Sequence, residues 1–196
     1  MKKSLPTRYF TTVKPKEYLV QGLTHCGAYS VKAILSAYGK DNKKHPKDYH
    51  THLLNKIIGG GLTKNYYVNI LKSYGLEAEF KDSSSISTAE RINLLKSLLV
   101  KNAPVMIAIG NGYNSEGTYN SLLAAYQSHW ITLWGFDDND QAFYLYDSCV
   151  KSDHYDKDIP IGNKKRSYKE IIRDWKGSLI TRLLYSKEYG YIEINL

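Results

Sequence analysis

The stretch that decides the fold is QGLTHCGAYS, at residues 21–30. Apolar residues then recur at helical spacing, so a helix is predicted from Ala28 to Tyr38, and Gly39 is a good stop signal. This places Cys26 at the N-terminus of the helix, where unpaired N–H groups and a partial positive charge favour a thiolate. Gly27 lets the chain turn tightly and lets a substrate approach the backbone. The stretch therefore indicates a reactive cysteine.

Gln21 lies just upstream of this cysteine. Its side-chain amide could join the backbone N–H of Cys26 in an oxyanion hole, the pair of donors that stabilises the charge formed when a thiolate attacks a carbonyl. The alternative interpretation is that Cys26 is a small buried residue that begins a helix, which is the commoner fate of a lone cysteine. A catalytic thiol also needs a base, which has to come from a distant part of the chain.

A predicted hairpin supplies the base. Two β-rich runs, 129–136 and 142–147, are joined by the turn signal at 137–141. Antiparallel pairing brings the start of the first strand beside the end of the second, so His129 and Asp147 should be neighbours. A carboxylate in that place orients an imidazole. Taken singly, His129 could be a structural histidine and Asp147 a strand-ending turn residue, but together they indicate a Cys-His-Asp triad.

The order of the remaining elements predicts the fold class. Residues 1–20 are expected to form an extended lead-in, and 110–128 a long polar loop. Helices come first and antiparallel strands mainly second, which predicts one α+β domain over residues 1–196 with its helices gathered on one side of the sheet. Further helices are predicted at 50–58, 63–74 (with Thr63 as N-cap), 88–99 and 167–175, and further strands at 76–80, 105–109 and 189–194.

Composition narrows the functional classes. The chain has 196 residues and a net charge of +8, but its lysines are scattered and show no zinc-finger or helix-turn-helix spacing. A solvated basic surface is therefore expected and no nucleic acid partner. No apolar run approaches the roughly 18 residues of a membrane span, and no secretory signal follows the first lysines. We expect a soluble cytoplasmic protein, with export by a signal-less route as an open alternative; the oligomeric state is not indicated.

Other chemistry-bearing residues carry weaker signals. Four polar residues that lie close together in the sequence suggest metal binding. His50 and His52 are two residues apart, however, which does not place both on one helix face, so no metal is expected. The cluster comprises His45, Asp48, His50 and His52. The glycine run at 59–61 lacks the Lys-Ser/Thr of a phosphate loop. Cys149, two residues past Asp147, is expected to be a free structural thiol near the site.

The ordered set Gln21, Cys26-Gly27, His129 and Asp147 resembles the papain-like cysteine peptidase superfamily. Within it, the likeness is to the bacterial branch that includes the double-glycine leader peptidases of bacteriocin exporters and their stand-alone relatives. It covers residues 21 to about 180. Segments of similar sequence are Gly61-Leu62-Thr63 to Leu76, Leu94 to Val105, His129 to Asp138, Leu145 to Ser148 and Ser167 to Trp175.

The resemblance implies a papain-like fold, in which an N-terminal helical part with the catalytic cysteine at a helix start packs on a C-terminal antiparallel sheet. It also implies a cysteine peptidase that acts on a peptide or protein substrate through a thioester, without a metal or organic cofactor. Three departures stand out: His25 where relatives often have Asp or Trp, Ser148 where Pro is frequent, and a longer, more charged segment at 149–166.

Two alternative functions remain open at this stage. The same triad serves acyltransferases, transglutaminase-like crosslinkers and deamidases, which differ in the walls of the cleft rather than in the reacting residues. A non-catalytic module that binds peptides in a papain-like groove is the second alternative.

Overall fold

The structure is a computed structural model that describes residues 4–43, 45–61, 63–113, 118–185 and 187–195. Residues 1–3 of the predicted lead-in, 114–117 of the predicted loop, and Lys44 and Leu62 lie outside the described residues. The helices are α1 (Cys26–Ala37), α2 (Leu53–Ile58), α3 (Tyr66–Ser73), α4 (Thr88–Leu99), α5 (Ser121–Tyr126), α6 (Tyr168–Trp175) and α7 (Leu179–Tyr185). The strands are β1 (Arg8–Phe10), β2 (Glu77–Asp82), β3 (Val105–Gly110), β4 (Ser128–Asp137), β5 (Ala142–Tyr146), β6 (Lys164–Ser167) and β7 (Gly190–Asn195).

The strands form one antiparallel sheet in the order β2-β7-β3-β4-β5-β6. Strand β4 is long, and its two halves have different partners along one edge. β3 pairs with residues 128–133 of β4, and β1 pairs with residues 135–137. Gly135 permits the approach of β1, because an added Cβ there would lie 2.3 Å from the Phe10 ring. His129 sits opposite Ile109 of β3, near the end of the ladder, which places it at an edge of the sheet.

Helices cover both faces of the sheet, so the expectation that they gather on one side is wrong. α1 and α3 pack on one face with Trp130 and Trp134, and α4 and α6 pack on the other with Ile131 and Leu133. The reason is visible in β3 and β4, which are buried at nearly every position. Successive side chains of a strand point to opposite faces, so a continuously apolar strand needs cover on both.

Most predicted helices and strands are confirmed, with corrections at their ends. The helix predicted from Thr63 begins at Tyr66, and Asn65 is its N-cap residue. The predicted loop at 110–128 contains α5, whose N-cap side chain, Asn120, accepts hydrogen bonds from two backbone N–H groups. Capping boxes start α4 at Ser87 and α6 at Ser167. Strands β1 and β6 and helix α7 were not predicted, because each is short and has no clear hydrophobic period.

No helix within the described ranges combines the length and apolarity that crossing a membrane requires.

Candidate active site

A cleft of about 1030 Å³ lies where the start of α1 meets the edge of the sheet. The four residues predicted for the site come from three separate segments of the chain, and all of them line this cleft: Gln21, Cys26, His129 and Asp147. His129 lies at the start of β4 and Asp147 just after the end of β5, at the same end of these paired strands. Gln21, before α1, and Cys26, the first residue of α1, line the cleft with them. The structure therefore places the predicted residues around one open space.

Cys26 is the first residue of α1, which begins two residues before the predicted start at Ala28, and its side chain is half-buried. The chain enters the helix through His25, whose φ of 79° is left-handed, and the N–H of His25 bonds to the Gly59 carbonyl at 3.0 Å. Gly27 packs against Tyr67 so closely that an added Cβ would lie 2.1 Å from the ring. This contact, in addition to the turn, is why glycine follows the cysteine.

Two histidines and a tyrosine form a row of side-chain contacts that starts at His25, the residue before Cys26. Nδ1 of His25 lies 3.1 Å from Nε2 of His50, and Nδ1 of His50 lies 2.8 Å from the Tyr66 hydroxyl. Burial lowers the pKa of His50 to about 4, with help from the charges of His25 and Lys56. His50 is therefore neutral at pH 7, and it contacts the side chain of the residue that precedes Cys26.

His129 and Asp147 are in contact, as the strand pairing predicted. Nε2 of His129 lies 2.7 Å from Oδ1 of Asp147, and both side chains are buried. The other carboxylate oxygen, Oδ2, pairs with Nη2 of Arg166 on β6. Burial by itself raises the pKa of Asp147, but the charges of His129 and Arg166 outweigh it and hold that pKa well below its usual value. The carboxylate is therefore ionised throughout the neutral range.

Arg166 is the residue of the site that sequence reasoning missed. The sequence predicts a solvated basic surface, yet Arg166 is 5% exposed and buried against Asp147. Its guanidinium also stacks 4.5 Å above the Tyr113 ring. No sequence signal marks it, because β6 is four residues long and has no hydrophobic period, so the inward direction of this side chain appears only in the folded sheet.

The second ring nitrogen of His129 faces a sulfur. Nδ1 lies 3.7 Å from Sγ of Cys149, and the predicted contact between Cys26 and His129 is not among the hydrogen bonds of the described residues. Burial tends to lower the pKa of His129, but the charges of Cys149, Asp147 and Cys26 raise it well above its usual value. Cys26 thus acts on the ring through space, and Cys149 contacts it directly. The expectation that Cys149 is a free thiol near the site is confirmed.

Gln21 is held by Ser148. The backbone N–H of Gln21 bonds to the Ser148 carbonyl at 2.8 Å, and the Ser148 hydroxyl donates to Oε1 of Gln21. The acceptor end of the amide is therefore occupied, and its NH₂ group is left to donate to another partner. Ser148, which departs from the resemblance at this position, thus has a role in fixing the amide rather than only in forming the turn.

Apolar side chains form much of the rest of the cleft wall. They come from the segment before α1, from α2, from α5 and from α7, and several are exposed although large. The apolar lining residues are Val20, Leu23, Ile58, Leu123, Ile180 and Leu184.

One group of donors in the described part of the chain could hold a metal ion: single ligand atoms of His129, Asp147 and Cys149 lie within 4.8 Å of one another. The histidine cluster considered from the sequence does not assemble in this manner. His50 is buried against His25 and Tyr66, and His45 accepts a hydrogen bond from the backbone N–H of Lys47.

Comparisons with known proteins identify the family and the fold. A model of the Peptidase_C39 like family matches residues 10–175. Among solved structures, the chain is similar to a double glycine motif protease from an AMS/PCAT transporter, in complex with the leader peptide, at 17% identity and a TM-score of 0.53, with 98% of each chain covered. It is also similar to xylellain, a cysteine protease from Xylella fastidiosa, at 12% identity and a TM-score of 0.54, with 98% of this chain and 87% of that one covered. A search of curated protein sequences gives no match. At these identities the structural likeness establishes a papain-like fold.

Proposed function

This chain belongs to the Peptidase_C39 like family, and from that membership we propose that it is a cysteine peptidase whose nucleophile is Cys26. The observation that carries the proposal is the convergence of Gln21, Cys26, His129 and Asp147 on one cleft. Each has the chemical character its role requires: a thiol at a helix start, a buried imidazole, an ionised carboxylate and an amide donor.

The first half of the reaction forms a thioester. The Cys26 thiolate attacks the carbonyl carbon of the scissile amide, and the developing oxyanion accepts hydrogen bonds from the Cys26 N–H and the Gln21 side chain. The raised pKa of His129 keeps its ring protonated while Cys26 is a thiolate. As the C–N bond breaks, His129 gives its proton to the leaving amine.

The second half returns the enzyme to its starting state. Neutral His129 takes a proton from a water molecule, the resulting hydroxide attacks the thioester carbon, and the acid product leaves as the Cys26 thiolate is restored. Asp147 orients the ring during both halves through its 2.7 Å contact with Nε2. Arg166 acts through Asp147 by keeping the carboxylate ionised.

The walls of the cleft favour a peptide with apolar side chains. Leu23, before α1, is fully exposed, and Leu184, on α7, is 40% exposed. Both side chains line the cleft. Large apolar side chains left in contact with water around an open groove are typical of a binding surface. A structural neighbour is a protease for double-glycine motifs in complex with a leader peptide, so a leader-like peptide with an apolar segment before two glycines is the first substrate to test.

Mass spectrometry of a peptide library tests the proposal. Wild-type protein and Cys26→Ala are incubated with the library, with Gly-Gly peptides and their Ala-Ala counterparts included. New termini formed by wild type alone support a peptidase. An added primary amine should not appear in the products; if it is incorporated, or if glutamine side chains gain one mass unit by deamidation, the site serves acyl transfer or deamidation instead. No product, together with tight peptide binding, would indicate a binding module.

A further inference from the structure

Exposed apolar side chains are concentrated around the mouth of the cleft. In the described part of the chain, every large apolar side chain that is at least 40% exposed lies on one of four segments, and each segment also contributes residues to the cleft lining. We call these segments, residues 20–25, 53–61, 119–128 and 176–185, the apolar rim. Single exposed leucines are normal on any protein, but their restriction to one rim marks an interaction surface.

The apolar rim has two halves, and polar contacts hold each half together. In the first half the His25 N–H donates to the Gly59 carbonyl at 3.0 Å, which joins the segment before α1 to the end of α2. In the second half the Ser128 hydroxyl lies 2.6 Å from that of Ser178 and 2.7 Å from that of Thr181, which joins the chain after α5 to α7. The short helices α2 and α7 are therefore anchored beside the cleft.

Part of the apolar rim lies outside the cleft. Leu53, Leu122 and Leu183 are 74%, 70% and 81% exposed, and none of them lines the cleft. A peptide bound at the catalytic residues would cover cleft-lining side chains such as Ile58 and Leu184 but would leave these three leucines in water. The rim therefore needs a partner with a larger apolar surface than a peptide in the cleft provides.

The charge of the apolar rim narrows the choice of partner. Its four segments contain no Asp or Glu, and they contain three cations. Arg182 is paired with Glu188, just beyond α7. The other two, Lys56 and Lys176, are exposed. A chain of net charge +8 thus presents a surface on which apolar side chains are accompanied by positive charge and by no carboxylate of the same segments.

An anionic lipid bilayer is the partner that fits both properties. Amphipathic helices with lysine or arginine beside exposed apolar side chains lie in the plane of the bilayer interface, where they bury the apolar side chains and are attracted to anionic head groups. The helices α2, LLNKII, and α7, LITRLLY, each have one cation among exposed leucines and isoleucines. A second copy of the chain fits less well, because a symmetric interface would bring the same cations close together.

We propose that the apolar rim binds the surface of an anionic lipid bilayer, with the mouth of the cleft turned toward the lipid. The half of the rim with α2 and the half with α7 both border the cleft. Contact by both halves at once therefore brings the cleft to the bilayer surface. The proposal concerns binding and does not depend on the reaction at Cys26.

Sedimentation with vesicles measures this binding. The full chain is mixed with vesicles of phosphatidylglycerol and phosphatidylcholine, or of phosphatidylcholine alone, in about 0.1 M and about 0.5 M NaCl. We expect binding to the anionic vesicles that weakens at the higher salt concentration, because salt screens the attraction between exposed charges. Binding to the neutral vesicles should be weaker at both salt concentrations, because the electrostatic attraction is absent.

Substitutions on both halves of the apolar rim test the surface itself. Leu53→Glu and Leu183→Glu should each weaken binding to anionic vesicles by about tenfold or more, since fully burying one leucine accounts for at least that factor. Lys56→Gln should weaken it about fivefold, the contribution of one lysine near an anionic surface. Asn69→Glu and Lys72→Gln, at exposed positions of α3 outside the rim, are the matched controls and should bind as wild type does.

Three results would overturn the proposal: no binding to anionic vesicles at the lower salt concentration, equal binding to anionic and neutral vesicles, or equal binding of wild type and both leucine variants. A concentration-dependent dimer that Leu183→Glu abolishes would assign the rim to a second copy of the chain instead. Both leucines are exposed in the free protein, so their variants should keep the wild-type melting temperature. Because no substrate is used, failure to cleave peptides leaves this test intact.

Discussion

The hydroxyl of Ser148 donates a hydrogen bond to Oε1 of Gln21. This bond joins the segment after β5 to the segment before α1, and it settles which end of the Gln21 amide is left to donate. Because an oxyanion hole needs the NH₂ end, the orientation of the amide matters as much as its position.

The first prediction tests this orientation. Gln21→Ala should lower kcat by roughly 10²–10³-fold because one oxyanion donor is lost. Ser148→Ala should lower kcat less, since the amide stays but turns freely. In the Gln21→Ala background, Ser148→Ala should have no further effect on kcat, because the two residues act as a unit. An additive loss in the double variant would show that Ser148 acts by another route.

The second prediction ranks the reacting residues. Cys26→Ala should abolish turnover, and His129→Ala should cost nearly as much, because both thiolate formation and leaving-group protonation depend on the ring. Asp147→Asn should be milder, since a thiolate–imidazolium pair depends less on the third group. Single-turnover kinetics with a cleaved peptide measure the order. A lower single-turnover rate for Asp147→Asn than for His129→Ala would contradict this order.

The third prediction concerns stability. Asp147→Asn leaves Arg166 buried without its counter-charge, and breaking a buried ion pair by removing one partner costs about 3–5 kcal/mol. Urea unfolding should show this loss, whereas Asp153→Asn, at an exposed carboxylate, should change little. Adding Arg166→Met should recover part of the stability. A double variant no more stable than Asp147→Asn would mean that the unpaired arginine is not the cause.

The fourth prediction compares two glycines. Gly27→Ala should lower the free energy of unfolding by about 1–3 kcal/mol, because its Cβ would lie 2.1 Å from the buried Tyr67 ring. Alanine has the higher helix propensity, so the loss would arise from overpacking. Gly22→Ala, with no atom within 4 Å of the added Cβ, is the control and should melt as wild type does. Equal melting temperatures for the two variants would count against the packing argument.

The fifth prediction is a pH dependence. The folded-state pKa of His50 is lowered to about 4 from 6.5, so the unfolded chain binds this proton first as the pH falls. The stability that neutral His50 contributes is complete above pH 6.5 and is lost as the pH falls toward 4. Unfolding free energy measured against pH should decline less over this window in His50→Gln than in wild type, and an equal decline in the two proteins would contradict the assignment.

The sequence by itself determined the features that depend on local patterns. The helical spacing after Cys26 predicted α1 to within two residues of its start, and the hairpin signal predicted that His129 lies beside Asp147. Both patterns are readable because helix and hairpin formation involve residues close together in the chain. The same local reasoning misjudged what covers the sheet: the continuous burial of β3 and β4 requires helices on both faces. It also missed α7, which has no clear period of its own.

Only the tertiary structure decided which side chains support the site. Nothing in the sequence distinguishes Arg166 from the lysines before it, Ser148 from an ordinary turn serine, or Cys149 from a structural thiol. Their roles arise when segments far apart in sequence pack together, so that Arg166 meets Asp147, Ser148 meets Gln21 and Cys149 meets His129. Such contacts depend on burial and direction, which a side chain acquires only when the whole chain has folded.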